Sequence, residues 1–389
     1  MVSGLRARLN AIAGASPAAE KRNARPSGVL CRESSHPLDP RLTELPTDGL
    51  RRIGWTGGRF DLARLAFLDT ETTGLSGGAG TVAFLVGLGY VRDGYFRVEQ
   101  FLMRDYPDEP EMLAMIADRL DRFDAVCSFN GKNFDLPLLK ARYTMCRMQD
   151  RWRDPEQLDL LYPARRTWKL RIGSCRLACI EEHILGRGRE GDLPGSEVPR
   201  RYFDYLKCGD LRLLEDIIDH NRQDIVTLGT LLAHLCCIYQ EPERQIHRAD
   251  LLSMGKALEN QGELRRAREL YRIAAIPAPA GSISALRDDG IAAQAAWRGY
   301  LLARKNRDAE AMRTILEQMA VRRQMREKIY VELAKLYEHQ YKHYRRALRY
   351  ADLAARYVLR PELEALNCRR ARLAKKLEKD IGRKTNGIF

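Results

Sequence analysis

The sequence predicts two folded parts of different class: an α/β domain built on a mixed sheet with flanking helices, followed by an all-α domain of helical repeats. Three observations carry this. Between residues 65 and 143, three apolar runs of strand length come in succession, and runs of helical and strand period then alternate. From Leu251 onward the strand-like runs stop, and small and apolar residues recur at helical spacing. The charge changes at the same place. Residues 61–245 carry 25 Lys and Arg against 30 Asp and Glu, and residues 246–389 carry 31 against 17, in a chain of net charge +14.

The elements follow in order. Residues 1–60 hold 10 basic and 5 acidic side chains among Ala, Ser, Pro and Gly, a composition expected to be largely disordered, with a short helix near Leu5–Ile12. The apolar stretch after Arg6 and Arg8 is too short and too weak for a signal peptide. Leu65–Thr70 is expected as the first strand, Val82–Val91 as the second and Tyr95–Met103 as the third. Arg92-Asp93-Gly94 forms the hairpin turn between the last two. The glycine-rich link Ser76–Thr81 lacks a following Lys-Ser/Thr and opens no helix, which excludes a phosphate-binding P-loop. It suits close backbone approach to a ligand beside Asp69, or a flexible hairpin. Glu109–Leu120 has the period of an amphipathic helix, Ala125–Phe129 of a short strand, Asn133–Tyr143 of a second helix and Leu211–Leu235 of a long one. The predicted boundaries are 1–60, 61–245 and 246–389.

The first strand carries the chemistry. Its side chains alternate, so Asp69 and Glu71 share a face, about 7 Å apart. Two carboxylates on one face raise each other's pKa, and a hard divalent cation, Mg²⁺ or Mn²⁺, relieves the repulsion. Asp135 stands at the start of a helix, where a carboxylate is favoured by the dipole and can also be a plain cap. His220 and Asp224 lie four apart and share a helix face. The neighbouring Ile217, Ile218, Ile225, Leu228 and Leu232 put that face near the core, where a carboxylate needs a partner. Each segment alone has an ordinary reading: a solvated turn, a cap, a structural His–Asp pair. Three of them in one chain favour a site for two divalent cations, with His220 as the group that takes a proton from water.

Asp69-Thr-Glu71-Thr-Thr-Gly, Phe129-Asn-Gly-Lys-Asn-Phe-Asp135 and His220-Asn-Arg-Gln-Asp224 resemble, in order, the three motifs of the DEDD 3′–5′ exonucleases. That family has one branch with Tyr four residues before the last Asp and another with His five before it. Here His stands at the four-residue spacing. The YprB-like ribonuclease H-like domain family is the nearer resemblance, with its His-Asn-x-x-Asp third motif. Gly173-Ser-Cys-Arg-Leu and the segment from Arg189 to Gly195 are similar to its linking segments. The resemblance covers about residues 60–240. It implies a ribonuclease H-like fold, Asp69, Glu71, Asp135 and Asp224 as metal ligands, and His220 as base. It also places Thr72, Thr73, Gly74 and Asn130 near the 3′-terminal nucleotide. Arg189 and Asp192 are expected to form a structural ion pair within a loop, with a substrate role as the alternative.

Taking Ala267 as anchor, Gly255, Gly262, Tyr271, Ala274 and Pro279 fall where a tetratricopeptide repeat puts small and apolar residues. Looser units span Ala292–Met319 and Tyr330–Ala354. Such arrays bind extended protein partners, and their basic charge here also suits nucleic-acid phosphates. No run is long and apolar enough for a membrane span. Nine cysteines, an odd number in a long chain, fit a reducing cytoplasm. Cys175, Cys179 and His183 fit helix packing better than a zinc site. The sequence thus predicts a cytoplasmic, metal-dependent 3′–5′ exonuclease acting on single-stranded DNA or RNA. The alternatives are a structure-specific endonuclease on the same fold and a non-catalytic adaptor.

Overall fold

Leu65–Leu68 are all buried because both faces of their strand are covered. The computed structural model describes residues 28–74, 80–189, 194–276 and 285–385. In chain order it contains β1 (Val29–Pro37), α1 (Thr47–Ile53), β2 (Leu65–Thr72), β3 (Ala83–Arg92), β4 (Tyr95–Met103) and α2 (Glu109–Leu120). Then come β5 (Ala125–Ser128), α3 (Asp135–Met145), β6 (Glu156–Asp159), α4 (Leu161–Ile172), α5 (Val198–Cys208) and α6 (Glu215–Gln240). Helices follow to the end: α7 (Arg248–Asn260), α8 (Leu264–Ala274), α9 (Ala285–Lys305), α10 (Ala309–Val321), α11 (Arg326–His339), α12 (Tyr344–Ala354) and α13 (Arg360–Thr385).

The six strands form one mixed sheet in the order β1-β4-β3-β2-β5-β6. The first four are antiparallel neighbours, and β5 and β6 run parallel to β2. The β3–β4 hairpin closes through Asp93 and Gly94 at φ 51° and 77°, the left-handed pair that a twisted two-residue turn requires. One core of the sheet unit buries Phe84, Phe101, Met112, Leu139, Tyr143 and Ile217, and the Phe84 and Tyr202 rings stack at 4.1 Å. On β3, a Cβ at Gly87 would lie 2.1 Å from Ile225 Cδ1 and 2.4 Å from Asn221 Oδ1, and one at Gly89 would lie 2.4 Å from Ile225 Cγ2. The two glycines therefore let α6 lie directly on the strand.

The mixed sheet with flanking helices, and the helical region after it, are as the sequence predicts. The expected disorder of residues 1–60 is corrected over Val29–Ile53. β1 pairs with β4 along its whole length, and Arg32 forms an ion pair with Glu215 at 2.6 Å. This edge strand is half polar and lacks a long apolar run, so its period-2 signal is faint. In α1, Leu50 and Ile53 are buried. Arg52 reaches Glu263 at 2.9 Å and the Tyr239 carbonyl at 3.1 Å. The short strand β6 is a second addition. The expected helix at Leu5–Ile12 lies outside the described residues.

Two compact units divide the chain, and they interleave where the sequence predicts contiguous boundaries. The first holds residues up to Leu42, Gly57–Asp159 and Arg189–Thr230. The second holds Thr43–Thr56, Leu160–Gly188 and the residues from Leu231 onward. In the second unit α7–α8, α9–α10 and α11–α12 are successive helical pairs over the three predicted repeat spans; Pro279 lies outside the described residues. Ala267, Tyr271 and Ala274 are buried. Tyr300, Leu316, Leu333, Tyr337, Ala347 and Leu373 share one core. Glu338 of α11 is buried beneath α13, where Arg369 at 2.5 Å, Arg372 at 2.9 Å and Lys376 at 2.9 Å converge on it. Burial alone would raise its pKa, but Arg372 and Lys376 outweigh that and hold it down to about 2. His183 Nδ1 lies 3.1 Å from the Cys179 carbonyl oxygen. Among the described residues no helix is long and apolar enough to cross a membrane.

Candidate active site

Three separated segments of the first unit converge. The central strand β2 delivers Asp69 and Glu71 at its C-terminal end. α3 opens on Asp135, and α6 presents His220 and Asp224 one turn apart. Asp69 lies within electrostatic reach of Asp224, Asp135 and Glu71. Burial first, and then these three charges, push its pKa well above its ordinary value, while the Asn221 amide pulls it back. Asp135 is pushed up to about 6 by burial, with the Asp159 charge adding to it. The Thr70 hydroxyl, which donates to Asp135 Oδ1 at 2.5 Å, works against that rise. The sequence-predicted carboxylates are therefore gathered, and they are in excess of positive charge.

The positive charge among them is Arg189. Its guanidinium donates through Nη1 to His220 Nδ1 at 3.0 Å and through Nη2 to Asp224 Oδ1. Guanidinium only donates, so His220 Nδ1 is the accepting nitrogen. The proton is then on Nε2, which lies 3.5 Å from Asp224 Oδ2. The sequence predicts Asp192 as the partner of Arg189; Asp192 lies outside the described residues, and Arg189 pairs with Asp224. Among the described residues no group of three or more His, Cys, Asp and Glu side chains is arranged to hold a metal ion as it stands. Asp224 is turned toward Arg189, and Asp135 toward Thr70. The donor set itself fits a divalent cation: hard carboxylate oxygens, partly or wholly buried and mutually repelling.

The four positions expected near a nucleotide are placed as follows. The Thr72 hydroxyl donates to the Gly74 carbonyl at 2.8 Å. Val82 N–H donates to Thr73 Oγ1 at 3.0 Å, so both hydroxyls are bonded to backbone at the end of β2. Asn130 has φ 72°, a left-handed position that Asn tolerates. Its N–H donates to Asp159 Oδ1 at 2.8 Å, and Lys132 N–H donates to Oδ2 at 3.1 Å. Residues 75–79 of the glycine-rich link lie outside the described residues.

Several positioning residues escape sequence reasoning. Asn221 is fully buried. Its amide donates to Asp69 Oδ2 at 2.9 Å, and its carbonyl accepts from Gln100 Nε2 at 2.8 Å. Gln100 and Asn221 thus orient Asp69 across β4 and α6. Asp159 ends β6 and fixes the Asn130 loop. Asn221 sits inside the quoted third motif, which is a usable signal. Gln100 and Asp159 have none, because their partners are distant in sequence.

Residues 66–236 match the family model described as the RNase_H superfamily. The chain is also similar to the uncharacterized protein YprB of Bacillus subtilis (strain 168). The two are 31% identical over 322 residues, which is 80% of this chain and 75% of the relative.

Proposed function

This chain belongs to the RNase_H superfamily, and from that premise we propose that it is a 3′–5′ exonuclease that hydrolyses nucleic-acid phosphodiester bonds. The family implies a nuclease-type hydrolase that uses divalent metal ions and a nucleic-acid substrate. One observation supports the finer reading most: buried carboxylates from three distant segments meet at the end of a central strand, where their charges oppose one another. Asp69, Glu71, Asp135 and Asp224 would hold two divalent cations, Mg²⁺ or Mn²⁺, which when bound supply Lewis acidity toward water and the phosphodiester. Asn221 and Gln100 orient Asp69, and Thr70 orients Asp135. His220 is the base, and Nδ1 is the atom that takes the proton, because Nε2 already carries one and faces Asp224. The Thr72–Gly74 turn and Asn130 flank the carboxylates and would meet the terminal nucleotide. The excess of basic residues from 246 onward supports a grip on phosphates. Nine free cysteines support a cytoplasmic setting.

The test uses 5′-labelled single-stranded DNA and RNA with Mn²⁺, Mg²⁺ or EDTA, beside Asp69→Ala. A metal-dependent ladder shortening from the 3′ end, absent in the variant, is the expected result. Internal cuts would replace it with an endonuclease. No cleavage of either polymer with either metal would leave a non-catalytic adaptor.

A further inference from the structure

We propose that Arg189 competes with the divalent cation for Asp224 and so sets how tightly the site takes metal; this rests on the reading of the site given above. The Arg189 side chain is only 10% exposed and that of Asp224 only 14%. One planar guanidinium spans Asp224 Oδ1 and His220 Nδ1, a two-point grip that suits Arg and that a Lys ammonium reproduces poorly. Both atoms belong to the proposed chemistry: Asp224 as a ligand and Nδ1 as the proton acceptor. While the guanidinium is engaged, His220 Nδ1 has no lone pair to offer. A cation bound at Asp224 would also face a positive charge on the same carboxylate. Arg189 therefore offsets the crowded carboxylates and occupies the base at once. Withdrawal of this one side chain frees both together. A structural ion pair would tie the segment before α5 to α6 with no effect on metal affinity other than to support it.

The opposite signs of these two roles give the test. Mn²⁺ alone is titrated into the full chain by calorimetry, for the wild type, Arg189→Gln, Arg189→Lys and Asp69→Ala, with folding followed by circular dichroism. Arg189→Gln should bind Mn²⁺ roughly tenfold tighter, in the range of ordinary coupling between sites. Arg189→Lys should fall between it and the wild type, since the ammonium keeps the charge and loses the bridge. A folded Arg189→Gln with wild-type or weaker Mn²⁺ affinity overturns the proposal. If Arg189→Gln does not fold, Arg189→Lys decides: tighter binding supports competition, and equal or weaker binding overturns it. Wild-type protein without Mn²⁺ binding that Asp69→Ala removes would overturn the metal-site reading, and this inference with it.

Discussion

Two buried carboxylate clusters in this molecule are built in opposite ways. In the sheet unit, Asp69, Glu71, Asp135 and Asp224 gather with Arg189 among them, and Asp135 is pushed up to about 6. In the helical unit a single carboxylate, Glu338, is met by Arg369, Arg372 and Lys376 and held down to about 2. The second cluster is over-neutralised and pins one helix to another. The first is short of positive charge and spends stability holding like charges together. That imbalance, and not burial alone, is what sets the two clusters apart and is the observation on which the proposed cation site rests.

The largest expected effect breaks the first cluster. Asp69→Ala or Asp224→Ala should abolish hydrolysis, read by the labelled-oligonucleotide assay. Asp69→Ala should leave the melting temperature equal or higher because repulsion is removed, whereas Asp224→Ala also takes the carboxylate from the buried Arg189 and should lower it. A large fall in melting temperature for Asp69→Ala would make that residue structural. Next in size, Glu338→Gln should cost about 3 kcal/mol in denaturant unfolding, near the low end for a broken buried pair because its cations are partly exposed. The two clusters would then differ in the sign of their stability effect. Gly87→Ala comes third. Its Cβ would meet Ile225 and Asn221 at 2.1 and 2.4 Å, so it should cost about 1–3 kcal/mol and also slow cleavage by displacing the helix that carries His220 and Asp224.

The smallest effects are in pH. Glu338 has a folded pKa below its ordinary 4.5, so its stabilisation is complete above 4.5 and is lost as pH falls toward 2. Asp250 is the opposite case. Burial raises it to about 6 against the pull of Arg171, so its contribution is complete below about 4 and is lost as pH rises through 6. Unfolding curves across pH 2–7 should lose their acid limb in Glu338→Gln, and their decline between pH 4 and 6 in Asp250→Asn. Unchanged profiles would mean that neither group titrates with folding.

What was legible in the sequence follows from how local each signal is. Leu65–Asp69 announces a buried strand because its apolar run is covered on both faces. Glu109–Leu120 has the bounds its helical period predicts. The carboxylates could be picked out as candidates because they sit in three short motifs, Asp69 and Glu71 together in the first. Arg189 as the partner of Asp224, Gln100 behind Asn221 and Asp159 under Asn130 could not. Each is joined to its partner across 29 to 121 residues, and a contact of that kind leaves no periodicity. β1 was hidden differently. An edge strand with one open face needs only a weak alternation, and Arg32-Glu-Ser-Ser-His resembles a polar linker.

That last feature matters to anyone who expresses the protein. Trimming the first 60 residues as a dispensable tail would strip β1 from the sheet and leave the outer rim of β4, with Val98, Phe101 and Leu102 in its length, as bare backbone. Such a rim templates pairing between chains, so the shortened protein should precipitate or form oligomers on a sizing column. A cut before Val29 would keep the rim covered.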